Sequence, residues 1–220
     1  DEKRVLVTGA SRGIGRAIAL QFAAAGARVA VHYQTNQSAA ETTLAELPGT
    51  GHTLCAGDVA DPDAVSQLVA ETVTDLGGLD ILVNNAGIFE AHPVNEVSYE
   101  DWQHHWQRTL TVNLTGPANL CWHAVQHMRQ SGGGRIVNVS SRGAFRGEPR
   151  CPAYGASKAG LNALTQSLAQ QLAPLGIFVG AVAPGFVETD MASTVLEGPG
   201  GDAVRRQSPL GRVAKPEEVA

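Results

Sequence analysis

The chain has 220 residues, enough for one sizeable α/β domain, and its ordinary apolar share with moderate charge reads as globular rather than disordered. A formal net charge of −5 argues against non-specific binding to nucleic acid or to an anionic membrane surface, and no apolar run approaches the roughly 18 residues that a membrane-spanning helix needs. Cys55, Cys121 and Cys151 are scattered without a C-x-x-C pair, which points to reduced thiols in a cytoplasmic protein, and the seven histidines lack a thiolate or carboxylate set, so no metal site is expected.

Short β-branched runs alternate with longer amphipathic ones. The first strand is expected at Arg4–Thr8, followed by a helix over Gly15–Ala25. Arg28–His32 is the second strand and Gln37–Leu47 the second helix; Gly51–Ala56 is a weaker third strand. Pro62–Leu76 is a helix with proline in its first turn behind Asp61. Ile81–Asn84 is a strand, Tyr99–Gln130 one long helix, Arg135–Ser140 a strand, Pro152–Ala173 a helix and Ile177–Ala183 a strand. Continuous apolar strands between helices predict a parallel sheet covered on both faces, a doubly wound Rossmann-type α/β fold. Residues 1–220 read as a single domain without an internal linker. Met191–Gln207, rich in small residues, reads as a mobile loop with a short helix, of the kind that often serves as a lid.

Thr8-Gly9-Ala10-Ser11-Arg12-Gly13-Ile14-Gly15 lies between the first strand and the first helix. Glycines there let the backbone approach a pyrophosphate, which the helix N-terminus then attracts. The spacing is Gly-x-x-x-Gly-x-Gly rather than the general Gly-x-Gly-x-x-Gly. An acid at the end of the second strand would bind the adenosine ribose hydroxyls and repel a 2′-phosphate, but the chain reads Val31-His32-Tyr33-Gln34. Arg12 offers a planar fork to a 2′-phosphate instead, so NADP(H) is expected over NAD(H). Asp58 is placed to accept the adenine amino group with Val59 against the ring; a cap is its plainer role, although Asp61 is better sited for that. Asn84-Asn85-Ala86-Gly87 supplies amides to tie strands together and small residues past which a cofactor can lie.

Tyr154 and Lys158 stand at i and i+4, hence on one helix face. A phenol beside a fixed ammonium is a proton donor whose pKa can be drawn toward working pH. These motifs, in this order with Asn113, Ser141 and Pro184-Gly185…Thr189, resemble the short-chain dehydrogenase/reductase family over nearly the whole chain. The resemblance implies a catalytic set of Asn113, Ser141, Tyr154 and Lys158. Its spacing of thirteen residues before the tyrosine selects Ser141 over the adjacent Ser140.

It further implies that Lys158 lowers the Tyr154 pKa and holds the nicotinamide ribose, and that Asn113 kinks its helix and positions a water. Pro184, Gly185, Val187 and Thr189 would reach the carboxamide and pyrophosphate. A nucleotide-binding redox sensor without turnover is the alternative, but it would not need all four catalytic residues. The branch most resembled is the 3-oxoacyl-[acyl-carrier-protein] reductases, which implies an acyl-thioester substrate, with other alcohols, sugars or cyclic ketones as alternatives. Arg129 and Arg135 are candidates to dock an acidic carrier protein, or are simply solvated. Phe145, Arg146 and Phe186 are candidates to line the substrate pocket, with Arg146 and Arg150 favouring an anion. Family members make subunit contacts through the long helices, so a homotetramer is expected. They also continue past Lys215–Ala220 into a further helix and an edge strand, so that segment is expected to be lacking or to lie beyond this sequence.

Overall fold

The computed structural model describes residues 2–220, for Thr194 the backbone only. Six strands form one sheet: β1 (Arg4–Val7), β2 (Arg28–Tyr33), β3 (Thr53–Ala56), β4 (Ile81–Asn84), β5 (Gly134–Val139) and β6 (Ile177–Val182). All neighbours run parallel in the order β3-β2-β1-β4-β5-β6. Alternate residues of each strand point to opposite faces, and both faces are apolar. Leu6, Ala30, Cys55, Leu82 and Ile136 feed one core, while Val5, Val7, Val29, Val31 and Val83 feed the other. This two-sided burial explains why the strands read as unbroken apolar runs.

Helices α1 (Gly13–Ala24) and α2 (Gln37–Glu46) cover the second core. On the opposite face lie α3 (Pro62–Leu76), α5 (Gly116–Gln130) and the end of α7 (Pro152–Leu172), with α4 (Tyr99–Leu110) leading into α5. Asp61 caps α3 by accepting the Asp63 amide, and Ser98 caps α4 by accepting that of Asp101. A four-residue helix, α6 (Gly143–Arg146), precedes α7.

Two expectations need correction. Tyr99–Gln130 is not one continuous α-helix: around Asn113, where a local kink was expected, Thr111–Thr115 forms a wider turn in which the Gly116 amide bonds back to the Thr111 carbonyl. Such π-type turns insert one extra residue and often mark functional sites. Met191–Gln207, expected as a loop with one short helix, instead holds two helices, α8 (Asp190–Glu197) and α9 (Gly201–Arg205).

The connection order reverses at β1, whose neighbours are β2 and β4. The crossovers leave β1 and β4 to opposite sides, which opens a crevice at their carboxyl ends. At the other end of these strands, Arg4 clamps Asp80 through its backbone amide and two guanidinium nitrogens at 2.7–2.8 Å, which holds that carboxyl below its ordinary range.

Candidate active site

A cleft of about 800 Å³ crosses the carboxyl ends of the strands, from Asp58 and Val59 beyond β3 to Pro184–Thr189 beyond β6. Its floor is the glycine turn. Gly9 has φ +63°, and a Cβ there would stand 3.0 Å from the Ala86 Cα. A Cβ on Gly15 would run into the Gly9 carbonyl and the Asn85 amide. The Thr8 hydroxyl accepts the Asn85 and Ala86 amides at 2.9 and 3.0 Å, while Asn85 Nδ2 donates to the Thr8 and Gly9 carbonyls. The turn is therefore sewn to the loop after β4, and no side chain caps the start of α1.

His32, which sequence reading left without a role, spans the nucleotide end. Its Nδ1 accepts the Gly9 amide at 3.0 Å and its Nε2 donates to the Gly57 carbonyl at 3.0 Å. The ring is buried, and burial lowers its pKa and keeps it neutral. Tyr33, Gln34, Thr35 and Asn36 line the cleft after β2 without a carboxylate among them. Arg12 is exposed and stands 3.5 Å from Asp190 of α8, an equally exposed partner. Asp58 lines the cleft while one of its oxygens accepts the Ala60 amide, so it is both a turn cap and a wall residue.

At the far end, Ser141 and Tyr154 line the same wall. Ser140, buried, spends its hydroxyl on the Lys158 carbonyl, whereas the Ser141 hydroxyl accepts the Gly143 amide at 3.0 Å and lies near enough to Tyr154 to pull its pKa down. Tyr154 is the third residue of α7, and Phe89 meets its ring edge-on at 4.8 Å. Lys158, 4% exposed, donates to the Val139 carbonyl at 2.8 Å and lies 5.8 Å from the Tyr154 ring centre.

Asn113 is fully buried in the π-type turn. Its amide oxygen accepts the Ile88 N–H, and its nitrogen donates to the Ile88 carbonyl and the Ser157 hydroxyl. The wide turn is what aims this side chain at the loop after β4. A Cβ on Gly87 would lie 3.1 Å from Asn113 Oδ1 and 3.7 Å from Lys158 Nζ, so these three positions converge.

The expectation that Lys158 draws the Tyr154 pKa down is not met in this cleft. Burial raises the Tyr154 pKa, with the nearby Ser141 hydroxyl pulling the other way. Lys158 itself is lowered to about 8 by burial, and its ammonium faces the Val139 carbonyl and the ring.

A family model described as short chain dehydrogenase matches residues 3–200. The chain belongs to the short-chain dehydrogenase family. It is 41% identical over 218 residues to a 3-oxoacyl-[acyl-carrier-protein] reductase of Synechocystis, covering 98% of this chain and 85% of that one. It is 38% identical over 222 residues to the D-threitol dehydrogenase of Mycolicibacterium smegmatis, covering 100% and 84%. Among solved structures, a short chain dehydrogenase from Burkholderia cenocepacia in complex with NADP superposes with a TM-score of 0.87 at 40% identity, covering 99% of this chain and 86% of that one.

The cleft gathers Gly9, Ser11, Arg12, Gly13, Ile14, Asp58, Val59, Asn85, Ala86, Gly87, Ser141, Tyr154, Lys158, Pro184, Gly185, Val187 and Thr189 along its walls. Gly15 lies just beneath, and Val187 pairs with Ala214 through the Phe186 carbonyl and the Glu188 amide rather than its own groups. The substrate half departs from expectation. Phe145 is 76% exposed, Arg146 donates to Gln207 and Arg150 pairs with Glu96, so none of the three lines the cleft. Phe186 does, and above it at 4.6 Å sits the guanidinium of Arg142. Glu148 faces the same space, and burial raises its pKa. Neither was singled out in the sequence, although Glu148 falls in the segment Ala144–Pro152 expected to shape the pocket, because a charged residue in a loop is ordinarily solvated; the signal was their place between Ser141 and Tyr154. Among the described residues no group of three or more His, Cys, Asp or Glu is arranged to hold a metal ion, and no helix is long and apolar enough to cross a membrane.

Proposed function

We propose that the protein interconverts a carbonyl and an alcohol with NADP(H), with Tyr154 as general acid and base and a 3-oxoacyl thioester as the substrate class. The observation that carries this reading is the placement of the Ser141 and Tyr154 hydroxyls side by side on a cleft wall, with Lys158 buried one turn further along the same helix.

The residues present fit the cofactor. The glycine turn is a cradle that a Cβ would fill, and the uncapped start of α1 leaves N–H groups for phosphate. The end of β2 carries no carboxylate to repel a 2′-phosphate, for which Arg12 would exchange Asp190. Gly9, Ser11, Gly13, Ile14 and Gly15 would hold the pyrophosphate, and Asp58 and Val59 the adenine. Asn85, Ala86 and Gly87 would lie along the middle of the cofactor, Tyr154 and Lys158 would take the nicotinamide ribose, and Pro184, Gly185, Val187 and Thr189 the carboxamide end. When bound, the nicotinamide supplies a hydride to the carbonyl carbon.

As negative charge grows on the substrate oxygen, the Ser141 and Tyr154 hydroxyls donate hydrogen bonds to it and Tyr154 passes its proton. A phenol held above its ordinary pKa is protonated at neutral pH, the form that reduction requires. Lys158, held on the Val139 carbonyl, sets its ammonium 5.8 Å from the centre of the phenol ring. Asn113 holds the Ile88 backbone from both sides and so sets the opposite wall.

The thioester reading is supported by the relatives named as 3-oxoacyl-[acyl-carrier-protein] reductases, whose substrate would arrive free or on an acyl carrier protein. Arg142 and Glu148 favour a second reading, a short hydroxylated ketone or polyol. An aliphatic acyl chain would desolvate both charges without hydrogen-bonding them, while hydroxyl groups would satisfy the guanidinium as donor and the carboxylate as acceptor. The test follows NADPH absorbance with a short 3-oxoacyl thioester and, in parallel, a four-carbon hydroxyketone, with NADH and Tyr154→Phe as controls. NADPH-selective turnover that the variant loses supports the reading, and the preferred ketone chooses between substrate classes. Turnover that survives in Tyr154→Phe would sink it. A cytoplasmic homotetramer, assembled through helices such as α5 with its exposed Trp122, completes the proposal; a monomeric mass in sedimentation would reject it.

A further inference from the structure

His92 lies outside the family motifs, yet it is fully buried beside the catalytic helix. The first turn of α7 needs an acceptor. Its N-cap residue, Cys151, makes no side-chain cap and Pro152 has no N–H, so the Ala153 amide is the first donor left over. His92 Nε2 accepts that amide at 3.1 Å from 61 residues away. Its Nδ1 donates to the Glu90 carbonyl at 2.8 Å, which fixes the tautomer that leaves Nε2 free to accept. The His92 backbone amide adds a bond to the Arg150 carbonyl at 2.8 Å. The ring stacks on His105 at 5.2 Å and meets Trp102 edge-on at 5.7 Å, so it has one orientation.

These contacts close a circuit around Tyr154. Asn113 grips Ile88 through two hydrogen bonds, Phe89 packs on the Tyr154 ring, and His92 holds the helix start one residue before Tyr154. Asn113 also reaches Ser157, whose hydroxyl donates to the Tyr154 carbonyl at 2.7 Å. The strap Ile88–His92 is thus anchored at both ends with the tyrosine between.

We infer that His92 is a positioning residue: it serves in place of the missing N-cap of α7 and thereby sets the Tyr154 hydroxyl against Ser141 for proton transfer. This rests on the reading of Tyr154 as the proton donor. A shift of about 1 Å at a reacting group can cost on the order of 100-fold in rate, whereas the glycine turn that would bind the nucleotide shares no hydrogen bond with His92.

The experiment compares His92→Leu, which keeps bulk without an acceptor, with His92→Gln, which restores an acceptor at similar reach. Turnover is counted per NADPH-binding site, and rates with 4-deuterated NADPH report how far the chemical step limits. The expected result for Leu is a fall in kcat of roughly 10- to 100-fold, a larger deuterium isotope effect and an NADPH Kd within about twofold of the parent. Gln should recover a substantial part of kcat. Merely losing folded protein would change neither the per-site rate nor the isotope effect. An unchanged per-site kcat in Leu, or equal losses in Leu and Gln, overturns the inference, while Tyr154→Phe losing turnover in the same assay shows that the underlying reading still stands. Should Leu fail to fold, amide exchange in the unaltered protein decides. Ala153 should be protected although it lies in a first turn, and exchange at the rate of an open loop overturns the proposal.

Discussion

The two halves of the cleft are built differently. The nucleotide half is backbone held by neutral hydrogen bonds: Thr8, His32 and Asn85 all spend their side chains on main-chain groups around the glycine turn. The substrate half is made of side chains, with Arg142, Glu148 and Lys158 carrying charge into partly or wholly buried places. A surface that binds one fixed shape gains from rigidity, and neutral bonds to backbone provide it without desolvating charge. A surface that performs proton transfer needs groups whose protonation can change, and burial is what tunes them.

Substitutions should respect that division. The largest expected effect is in the substrate half: Tyr154→Phe should lower turnover by about 10²–10⁴-fold, while fluorescence titration finds NADPH affinity little changed. Equal loss of both would mean that the halves are not separable. Next, Gly15→Ala should strike the nucleotide half, since its methyl would meet the Gly9 carbonyl. Overpacking of this kind costs about 1–3 kcal/mol, and calorimetry should show NADPH binding lost or weakened more than any residual per-site chemistry.

Lys158→Met should separate stability from activity. Burial lowers the Lys158 pKa from 10.5 to about 8, so the folded chain holds that proton less tightly than the unfolded chain. The charged amine therefore costs stability at neutral pH, and stability returns as pH rises from about 8 to 10.5. At 1.4 kcal/mol per pKa unit, less the lost bond to Val139, removing it should stabilise by roughly 1–3 kcal/mol while ending turnover. Urea melts at pH 7 check this, and a destabilised, inactive variant would contradict it.

The smallest effect is expected from pH. His32 has a lowered pKa because it is buried, so its contribution is complete above the ordinary imidazole value of about 6.5 and is lost as pH falls below it. Protonating Nδ1 would remove the acceptor of the Gly9 amide. NADPH affinity should therefore stay flat through the ordinary imidazole value of about 6.5 and weaken only at the lower pH where the buried ring of the folded chain takes its proton, and His32→Asn should flatten the profile. An unchanged acid limb would remove His32 from the nucleotide half.

Most strands and helices were legible because each carries its own pattern. Val5, Leu6 and Val7 announce a strand buried on both faces, and Pro62 behind Asp61 announces a capped helix. Gly9, Gly13 and Gly15 were legible for the same reason, since a tight turn between strand and helix is a local demand. At Thr111–Thr115 the resemblance implied a kink at Asn113, but not its form; the turn widens because buried Asn113 must reach Ile88 across the fold, a partner 25 residues away that local pattern does not show.

Length, alternation and spacing within the sequence by themselves determined the doubly wound sheet and the order of its motifs, since those follow from propensity and burial along a short stretch. Only the tertiary structure decided which charges enter the cleft, which histidine holds the glycine turn and which caps the helix that carries Tyr154. Those choices depend on partners such as Gly57, 25 residues from His32, and Ala153, 61 residues from His92. A polar side chain in sequence looks the same whether water or a distant amide will satisfy it, and folding alone supplies the partner.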